Sequence, residues 1–336
     1  MSEPVLAVRN LTVVLEERGH RVELVRDVSF EVQPREKLGV VGESGSGKSL
    51  SMLAIMRLLP GPPIRVVSGE VWCGGRDLLR LDERELRSVR GSEITMIYQD
   101  PLHSLNPVMR IGDQVAEALT AHGTRAAEAR RRTLEVLHEV GMPDPERTVL
   151  GYPHEFSGGM RQRVMIAMAL ALSPRLLIAD EPTTALDVTT QQQILDLVGR
   201  LHERTGMAVV WVTHDLSVIA RLVDRVLVMY AGGVVERGPT TALFGAPQHP
   251  YTADLLGSLP RPGGRERTPL RQIPGAPPQP GELPPGCPYE PRCRQALERC
   301  RRERPPLLPR GAGEAACWVP PERWTSAASQ TALSKC

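Results

Sequence analysis

The segment that most restricts the fold of this chain is Gly42–Ser49, which reads GESGSGKS. It follows a β-branched run at Leu38–Val41 and precedes a helical pattern that extends from Leu50 to Leu59 and ends before Pro60. Glycines at these positions allow backbone N–H groups to point at phosphate oxygens, and the helix start adds partial positive charge. The segment therefore predicts a strand, a phosphate-binding loop and a helix.

Side chains suited to phosphate chemistry lie at the end of this loop and at the end of a second apolar strand. The ammonium group of Lys48 is predicted to reach the β- and γ-phosphates of a nucleotide, and the hydroxyl of Ser49 to bind Mg²⁺. The second strand, Leu176–Ala179, is followed by Asp180 and Glu181. Asp180 is predicted to hold the Mg²⁺ shell, and Glu181 to act as general base toward the attacking water.

Composition excludes several other functions. The chain has 336 residues, 41 Lys plus Arg and 39 Asp plus Glu, so its formal net charge is only +2 and nucleic acid is not an expected partner. The longest apolar run, Val164–Leu172, is about half as long as a membrane helix requires. The chain begins without the charged and apolar regions of a secretory signal. We therefore expect a folded cytoplasmic protein.

The order of the apolar patterns predicts an α/β fold with an additional C-terminal segment. A helical pattern occupies residues 113–141, and the later apolar runs suit a buried parallel sheet. The predicted strands are Leu6–Val14, Val22–Val32, Leu38–Val41, Leu176–Ala179, Val209–Thr213 and Val226–Met229. Proline-rich sequence predicts an extended linker before the cysteine-rich C-terminus. The predicted domains are 5–257 (nucleotide-binding), 258–285 (linker), 286–320 (Cys-rich) and 321–336 (flexible tail).

The segment Phe156–Arg163, FSGGMRQR, resembles the signature loop of ATP-binding cassette (ABC) ATPases. Gln99 is similar to the Q-loop glutamine of this family, Thr184–Asp187 to its D-loop, and His214 to its switch histidine. The resemblance implies an α/β P-loop NTPase of the RecA-like type. It further implies an antiparallel β subdomain, a helical subdomain at about 100–172 and a small Cys-rich C-terminal extension, with ATP and Mg²⁺ as ligands.

The resemblance also assigns roles to individual residues. The implied catalytic residues are Glu181, His214 and Gln99, and the implied Mg²⁺ ligands are Ser49, Gln99 and Asp180. The implied ATP-binding residues of the phosphate loop are Gly42, Glu43, Ser44, Gly45, Ser46, Gly47, Lys48 and Ser49. The family usually places an aromatic residue against adenine before this loop. Val13–Val22 contains none, so Leu15 or His20 is predicted to take that place.

The signature loop predicts a second anion site. Because Ser157 and the two following glycines start a helix, their N–H groups and the hydroxyl are available to an anion. In the family this site binds the ATP of another subunit, which implies two cassettes that close head to tail on two ATP molecules. The residues concerned are Ser157, Gly158, Gly159 and Met160, with Asp187 in the D-loop.

Further segments resemble one branch of the family, the ATPase subunits of bacterial dipeptide, oligopeptide and nickel importers. They are Gln99–Pro101, Ser104–Pro107, Tyr152–Phe156, His249–Thr252 and the cysteine tail. This resemblance implies a peripheral ATPase at the cytoplasmic face of the inner membrane that powers import of peptides, or of nickel or another small solute. Its implied partners are a homologous ATPase subunit, favoured over a second copy, two transmembrane permease subunits and, indirectly, an extracytoplasmic solute-binding protein.

Within that branch, Asp100–Pro107 is the predicted surface for the permease. Two functions outside transport are also considered for an ABC cassette. A soluble switch in DNA repair or translation would be expected to have coiled-coil arms, two cassettes or strong basic patches, which the sequence lacks. A cassette that binds ATP without hydrolysing it would lack part of the catalytic set, whereas this chain retains Lys48, Asp180, Glu181 and His214.

Four of the six cysteines lie near the C-terminus with the spacing C-x5-C-x6-C-x16-C. They are Cys287, Cys293, Cys300 and Cys317. In a reducing compartment, four such thiols can hold a tetrahedral metal or an iron–sulfur cluster, and the spacing by itself does not indicate zinc. Resemblance to the importer branch implies a [4Fe-4S] cluster, with Zn²⁺ and unligated or disulfide-linked thiols as the alternatives.

Overall fold

The computed structural model describes residues 3–17, 19–98, 104–184, 186–259 and 272–324. Its helices and strands confirm the α/β prediction. The chain divides into two compact units, each described over the residues given above. The first unit comprises Met1–Ala7, Glu31–Glu36 and Val71–Trp211, and the second comprises Val8–Phe30, Lys37–Glu70 and Val212–Cys336.

Strands and helices alternate along most of the chain. The strands are β1 (Leu6–Glu17), β2 (His20–Val32), β3 (Lys37–Val41), β4 (Ile64–Cys73), β5 (Arg76–Asp77), β6 (Ile94–Ile97), β7 (Leu176–Asp180), β8 (Ala208–Thr213), β9 (Arg225–Tyr230), β10 (Gly233–Pro239), β11 (Leu308–Arg310) and β12 (Gly313–Ala315). The helices are α1 (Lys48–Ile55), α2 (Glu83–Val89), α3 (Ile111–Thr120), α4 (Ala126–Glu139), α5 (Pro145–Thr148), α6 (Gly158–Leu170), α7 (Val188–Thr205), α8 (Leu216–Leu222), α9 (Thr240–Gly245), α10 (Pro250–Gly257) and α11 (Glu298–Arg302).

In the first unit, helices accompany a parallel pair of buried strands. β6 and β7 pair in parallel, with Ile94 opposite Leu176 and Ile97 opposite Ala179, and every residue of both strands is buried. Helices α3, α4 and α6 pack against one another. The helical pattern predicted at 113–141 forms two helices, because the chain turns through Gly123, whose φ is 85°.

The second unit contains the strand order β11-β12-β10-β9-β3. β3 pairs in parallel with β9, whereas β9, β10, β12 and β11 pair successively in antiparallel register. Glu236 of β10 lies opposite Ala315 of β12. The C-terminal segment therefore adds strands to the same sheet whose strand β3 leads into the phosphate loop.

The structure differs from the predicted element boundaries in several places. α1 ends at Ile55 rather than at Leu59, because Arg57 adopts a left-handed backbone conformation with a φ of 51°. The sequence patterns do not predict β4, β5, β6, β10, β11 or β12. Residues 260–271 of the predicted linker and residues 325–336 of the predicted tail lie outside the described residues. None of the helices in the described part of the chain has both the length and the apolar character needed to span a bilayer.

Candidate nucleotide-binding site

The segment Gly42–Ser49 connects the end of β3 to the first turn of α1. Gly42, Gly45 and Gly47 have φ angles of 154°, 76° and 96°, which favour glycine. A Cβ atom at Gly42 would collide with the main-chain oxygen of Met229, whereas the space beside Gly45 is open. A glycine loop of this conformation, followed directly by a helix, is suited to bind phosphate oxygens.

The side chain of Lys48 folds back on the phosphate loop that contains this residue, and Lys48 is only 5% exposed. Its Nζ donates hydrogen bonds to the carbonyl oxygens of Gly42 at 2.8 Å and Glu43 at 2.9 Å, and to the hydroxyl of Ser46 at 3.3 Å. The main-chain N–H of Ser46 donates to the carbonyl oxygen of Glu43 at 3.2 Å and closes a turn within the loop. The ammonium group is therefore held by oxygen acceptors that phosphate oxygens can replace.

The loop is also held by two side chains from later in the chain. The main-chain N–H of Glu43 donates to the hydroxyl of Tyr251 at 2.8 Å. The guanidinium of Arg292 donates to both carboxylate oxygens of Glu43, at 2.6 and 2.9 Å. All of these residues belong to the second unit. Glu43 is thus fixed through both its main chain and its side chain.

The two acids that follow the second apolar strand lie in the first unit. Asp180 is the last residue of β7 and is 6% exposed, and Glu181 follows it directly. Glu181 has a φ of 45°, which is uncommon for a residue that carries a side chain. Its carboxylate accepts a hydrogen bond from the hydroxyl of Thr184 at 3.0 Å. This pair combines a buried oxygen ligand for a cation with an oriented carboxylate that can accept a proton.

The predicted signature loop and D-loop also lie in the first unit, each at the start of a helix. Ser157 is the N-cap of α6, and its hydroxyl accepts a hydrogen bond from the main-chain N–H of Met160 at 3.3 Å. Asp187 is the N-cap of α7, where its carboxylate accepts the N–H and the hydroxyl of Thr190 at 3.0 and 2.7 Å. These hydrogen bonds lower the pKa of Asp187. Gly159 adjoins Thr190, since a Cβ atom at Gly159 would lie 2.5 Å from the methyl carbon of that residue.

The remaining predicted nucleotide contacts are placed as follows. His214 directly follows β8 and is exposed, and the hydroxyl of the preceding Thr213 accepts a hydrogen bond from the N–H of Asp215 at 3.0 Å. Leu15 is half-buried in β1, and His20 is exposed at the start of β2. Gln99 lies outside the described residues, so its predicted roles toward Mg²⁺ and in catalysis remain predictions.

The four cysteines of the C-terminal segment are free thiols whose charges interact with one another. Burial raises the pKa of Cys287 to about 11, and the charges of Cys300 and Cys317 contribute to the increase. Burial likewise raises the pKa of Cys293 to about 12, with contributions from the other three thiols. Within the described ranges, however, no three Cys, His, Asp or Glu side chains are arranged closely enough to hold a metal ion. The thiols are therefore suitable donors for a metal or an iron–sulfur cluster, but they are not arranged as a complete set of ligands.

The sequence matches two known families over separate regions. The family described as "ABC transporter" matches residues 25–184, and the one described as "Oligopeptide/dipeptide transporter, C-terminal region" matches residues 235–300. The dipeptide transport ATP-binding protein DppD of Bacillus subtilis is 46% identical over 325 residues, which cover 96% of each chain. This chain belongs to the ABC transporter ATPase family.

A second relative and a solved structure agree with this family assignment. The oligopeptide transport ATP-binding protein OppD of Bacillus subtilis is 47% identical over 304 residues, which cover 90% of this chain and 85% of that one. A solved dimeric structure of an ATP-binding cassette, in a post-hydrolysis state with ADP and Pi bound, has a TM-score of 0.62 and 29% identity. It covers 70% of this chain and 98% of its own. The predicted ABC ATPase fold is confirmed.

Sequence reasoning missed two side chains that contact the phosphate loop of this ABC ATPase. It used Tyr251 only as part of a branch-specific segment, and it gave Arg292 no role. Arg292 is 249 positions from its partner Glu43, and local periodicity carries no signal for such a contact. The position of Arg292 one residue before Cys293, within the unexplained cysteine tail, is the only feature that draws attention to it.

Proposed function

We propose that this ABC ATPase powers the import of peptides through a transmembrane permease. The observation that carries this proposal is the match of residues 235–300 to the C-terminal region of oligopeptide and dipeptide transporters. Relatives named for dipeptide and oligopeptide transport that align with nine-tenths or more of the chain support it further. Nickel or another small solute is the alternative cargo, because the ATPase does not itself select the solute.

In this function the phosphate loop binds ATP through its main-chain N–H groups and through Lys48. The hydrogen bonds of Nζ to Gly42, Glu43 and Ser46 support this role, because the same donor can be transferred to the β- and γ-phosphates. The open space beside Gly45 leaves room for the ligand. Leu15 or His20 then contacts the adenine ring in place of an aromatic residue.

Magnesium would be held by the hydroxyl of Ser49, the carboxylate of Asp180 and the side chain of Gln99. Hydroxyl, carboxylate and amide oxygens are hard donors, which fit this cation. When bound, Mg²⁺ neutralises charge on the phosphates and orients them. Glu181 accepts a proton from the attacking water, and its constrained backbone and its hydrogen bond from Thr184 orient the carboxylate for this task. His214 and Gln99 complete the proposed catalytic set.

The signature loop would bind the ATP of a second cassette. The N-terminus of α6 would supply the main-chain N–H groups of Gly158 and Gly159, and that of Met160 once it leaves the hydroxyl of Ser157. Asp187 begins the neighbouring helix and holds the D-loop in place. The similarity to a cassette solved as a dimer supports a two-cassette assembly. We propose a homologous chain as the partner, with a second copy of this chain as the alternative.

Coupling to two permease subunits would use residues 100–107 and would hold the ATPase at the cytoplasmic face of the inner membrane. Residues 100–103 lie outside the described part of the chain, but the following loop is well anchored. The buried amide of Gln114 accepts a hydrogen bond from the N–H of Asn106 and donates to the carbonyls of Asn106 and Met109, at 2.9 to 3.0 Å. Val108 is 79% exposed beside them. A firmly held loop with an exposed apolar residue supports a role in docking to the permease. An extracytoplasmic binding protein would deliver the solute to that permease.

Peptide uptake by reconstituted vesicles tests this function. The chain would be assembled with its partner cassette, permease and binding protein, and labelled dipeptide and Ni²⁺ would be offered separately. We expect ATP-dependent uptake of the peptide. Glu181→Gln should retain ATP binding but lower the hydrolysis rate by about a thousandfold, because the water loses its general base. Hydrolysis by this variant at the parental rate would remove Glu181 from the role, and uptake of Ni²⁺ alone would favour the alternative cargo.

The proposed [4Fe-4S] cluster would be bound by Cys287, Cys293, Cys300 and Cys317. Four cysteine thiolates are the usual donors of such a cluster. Binding of the cluster would have to supply the free energy needed to release thiol protons whose pKa values are raised by burial. Iron, acid-labile sulfide and zinc would be measured on protein purified without oxygen. We expect about four irons and four sulfides per chain, lost in Cys293→Ser, with Cys73→Ser as the control outside the cluster. One zinc without iron would replace the cluster by the zinc alternative.

A further inference from the structure

The contact between Arg292 and Glu43 links the cysteine-rich segment to the phosphate loop. Both hydrogen bonds are short, and the side chain of Arg292 is only 4% exposed, compared with 25% for Glu43. A bidentate pair of this kind fixes the direction of the carboxylate as well as its distance. Because this ion pair is largely shielded from water, it holds the two side chains in one arrangement, unlike an ion pair that is exposed at the surface.

Arg292 is itself held from several sides. Its Nε donates to the carbonyl oxygen of Pro274 at 2.8 Å, and its Nη1 also reaches the hydroxyl of Tyr230 at 3.3 Å. The guanidinium carbon lies 5.8 Å from the ring centre of Tyr230 and 5.9 Å from that of Tyr289, within the range of cation–π attraction. The carboxylate of Glu43 therefore contacts a cation that cannot easily change its position.

Three buried tyrosines support the same region, and we call Tyr230, Tyr251 and Tyr289 the tyrosine cluster. Their ring centres are 4.6 to 5.3 Å apart, and none is more than 1% exposed. They come from β9, from α10 and from the cysteine-rich segment, respectively. The hydroxyl of Tyr289 also donates to the carboxylate of Asp254 at 2.5 Å. The cluster joins these three segments into one packed support.

From these contacts we propose that Arg292 and Tyr251 are positioning residues for the phosphate loop. They hold the side chain and the main-chain N–H of Glu43, and the carbonyl oxygen of the same residue holds the ammonium group of Lys48. Arg292 also neutralises a carboxylate that would otherwise oppose the phosphates of a nucleotide. Nucleotide affinity thus depends on a segment far from the loop in sequence. This inference rests on the proposed function, since it concerns the same ATP site.

Binding of ADP to the full chain tests the inference without requiring hydrolysis. We expect Arg292→Gln to raise the dissociation constant of ADP by about tenfold and to raise the KM for ATP more than it lowers kcat, because the loop is misplaced before any chemistry occurs. Arg292→Lys keeps the positive charge but loses the two parallel hydrogen bonds of the guanidinium group. Its affinity for ADP should therefore lie between that of Arg292→Gln and that of the parental chain. Arg294→Gln is the matched control, because Arg294 is exposed in the same segment.

Tyr251→Phe provides a second variant that removes one hydroxyl and keeps the packed ring. It should weaken ADP binding in the same direction, so the proposal does not depend on whether Arg292→Gln folds. Folded variants of both residues with the parental affinity would overturn the inference and leave the proposed function intact. Full recovery of affinity in Glu43→Gln combined with Arg292→Gln would overturn the positioning role of Arg292, because removal of the carboxylate charge would then suffice. Failure of the unchanged chain to bind ADP or ATP would overturn the proposed function together with the inference.

Discussion

At the scale of single residues, the candidate site depends on loop positions that only glycine fits and on neighbouring positions that need a particular side chain. The glycines of the phosphate loop could be predicted from the sequence, because their spacing and context are specific. The positive φ of Glu181 could not, since nothing in a run of apolar residues that ends in two acids indicates a left-handed backbone at the second acid. Local sequence therefore predicts candidates for the chemistry but not how each side chain is oriented.

The close approach of Gly159 to Thr190 leads to a prediction about the signature loop. Gly159→Ala should lower the free energy of unfolding by about 1 to 3 kcal/mol, because the new Cβ would lie 2.5 Å from the methyl carbon of Thr190. Thr190 cannot rotate away without losing the hydrogen bond from its hydroxyl to Asp187. Adding Thr190→Ser removes the methyl group, keeps the hydroxyl and should restore most of the stability, as measured by denaturant unfolding.

Gly158→Ala is the matched control for this experiment. The nearest atom to its Cβ would be a side-chain carbon of Leu186 at 3.6 Å, which is an ordinary contact. We expect it to change stability by less than about 0.5 kcal/mol. If Gly159→Ala proves equally neutral, the close packing between α6 and α7 at this point is not a constraint on the signature loop.

At the scale of elements, buried titratable groups connect β10 to the start of α10. The carboxylate of Glu236 accepts the N–H groups of Gln248 and His249 at 2.7 and 2.9 Å, and Nδ1 of His249 accepts the N–H of Tyr251 at 3.1 Å. Burial raises the pKa of Glu236 from 4.5 to about 7 and lowers the pKa of His249 from 6.5 to about 3. Each shift links the stability of this region to pH.

The two linkages have opposite signs. The protonated form of Glu236 is favoured by folding, so its contribution to stability is complete below pH 4.5 and is lost as the pH rises to about 7. The neutral form of His249 is favoured, so its contribution is complete above pH 6.5 and is lost as the pH falls to about 3. Between pH 4.5 and 6.5 the slopes cancel, since each amounts to about 1.4 kcal/mol per pH unit.

Glu236→Gln should therefore expose the histidine linkage. We expect the free energy of unfolding of this variant to fall by about 2 kcal/mol between pH 6.5 and pH 4.5, beyond any change in the parental chain. Chemical unfolding at several pH values measures it. Glu203→Gln, at an exposed position in α7, should retain the parental profile. Identical profiles for Glu236→Gln and the parent would show that these two groups do not control stability in this range.

Two of the strands that the sequence does not predict share a physical cause. β11 and β12 span three residues each, and their pairing with β10 joins positions far apart in the chain, such as Glu236 and Ala315. Strand propensity and alternation are local, so they detect buried apolar runs such as β7 and β9 but not strands of three residues that form only through a distant partner. The cysteine tail was therefore identified by its composition, whereas its attachment to the sheet was not.

At the scale of the whole chain, residues 286–324 complete the second unit rather than follow it. β12 pairs with β10, and Val319 and Trp324 pack on Ala253 of α10. A chain that ends at residue 285 should therefore expose the edge of β10 and the buried rings of Tyr230 and Tyr251, aggregate, and bind ADP at least tenfold more weakly. Size-exclusion chromatography and ADP titration measure these effects.

A chain that ends at Trp324 is the control for this truncation. It removes only residues after the last packed aromatic side chain, and it should match the full chain in size and in ADP affinity. A stable monomer ending at residue 285 with the full affinity would contradict the prediction. It would show that the sheet and the phosphate loop are complete without the cysteine-rich segment.

The link between Glu43 and Arg292 has a consequence for how the protein is made. The ribosome synthesises the phosphate loop early, but the arginine that holds it is added 249 residues later. A nascent chain, or a fragment released before its end, would carry the loop without its support and bind nucleotide poorly. We therefore expect incomplete chains to need a higher ATP concentration than the full chain before they turn ATP over.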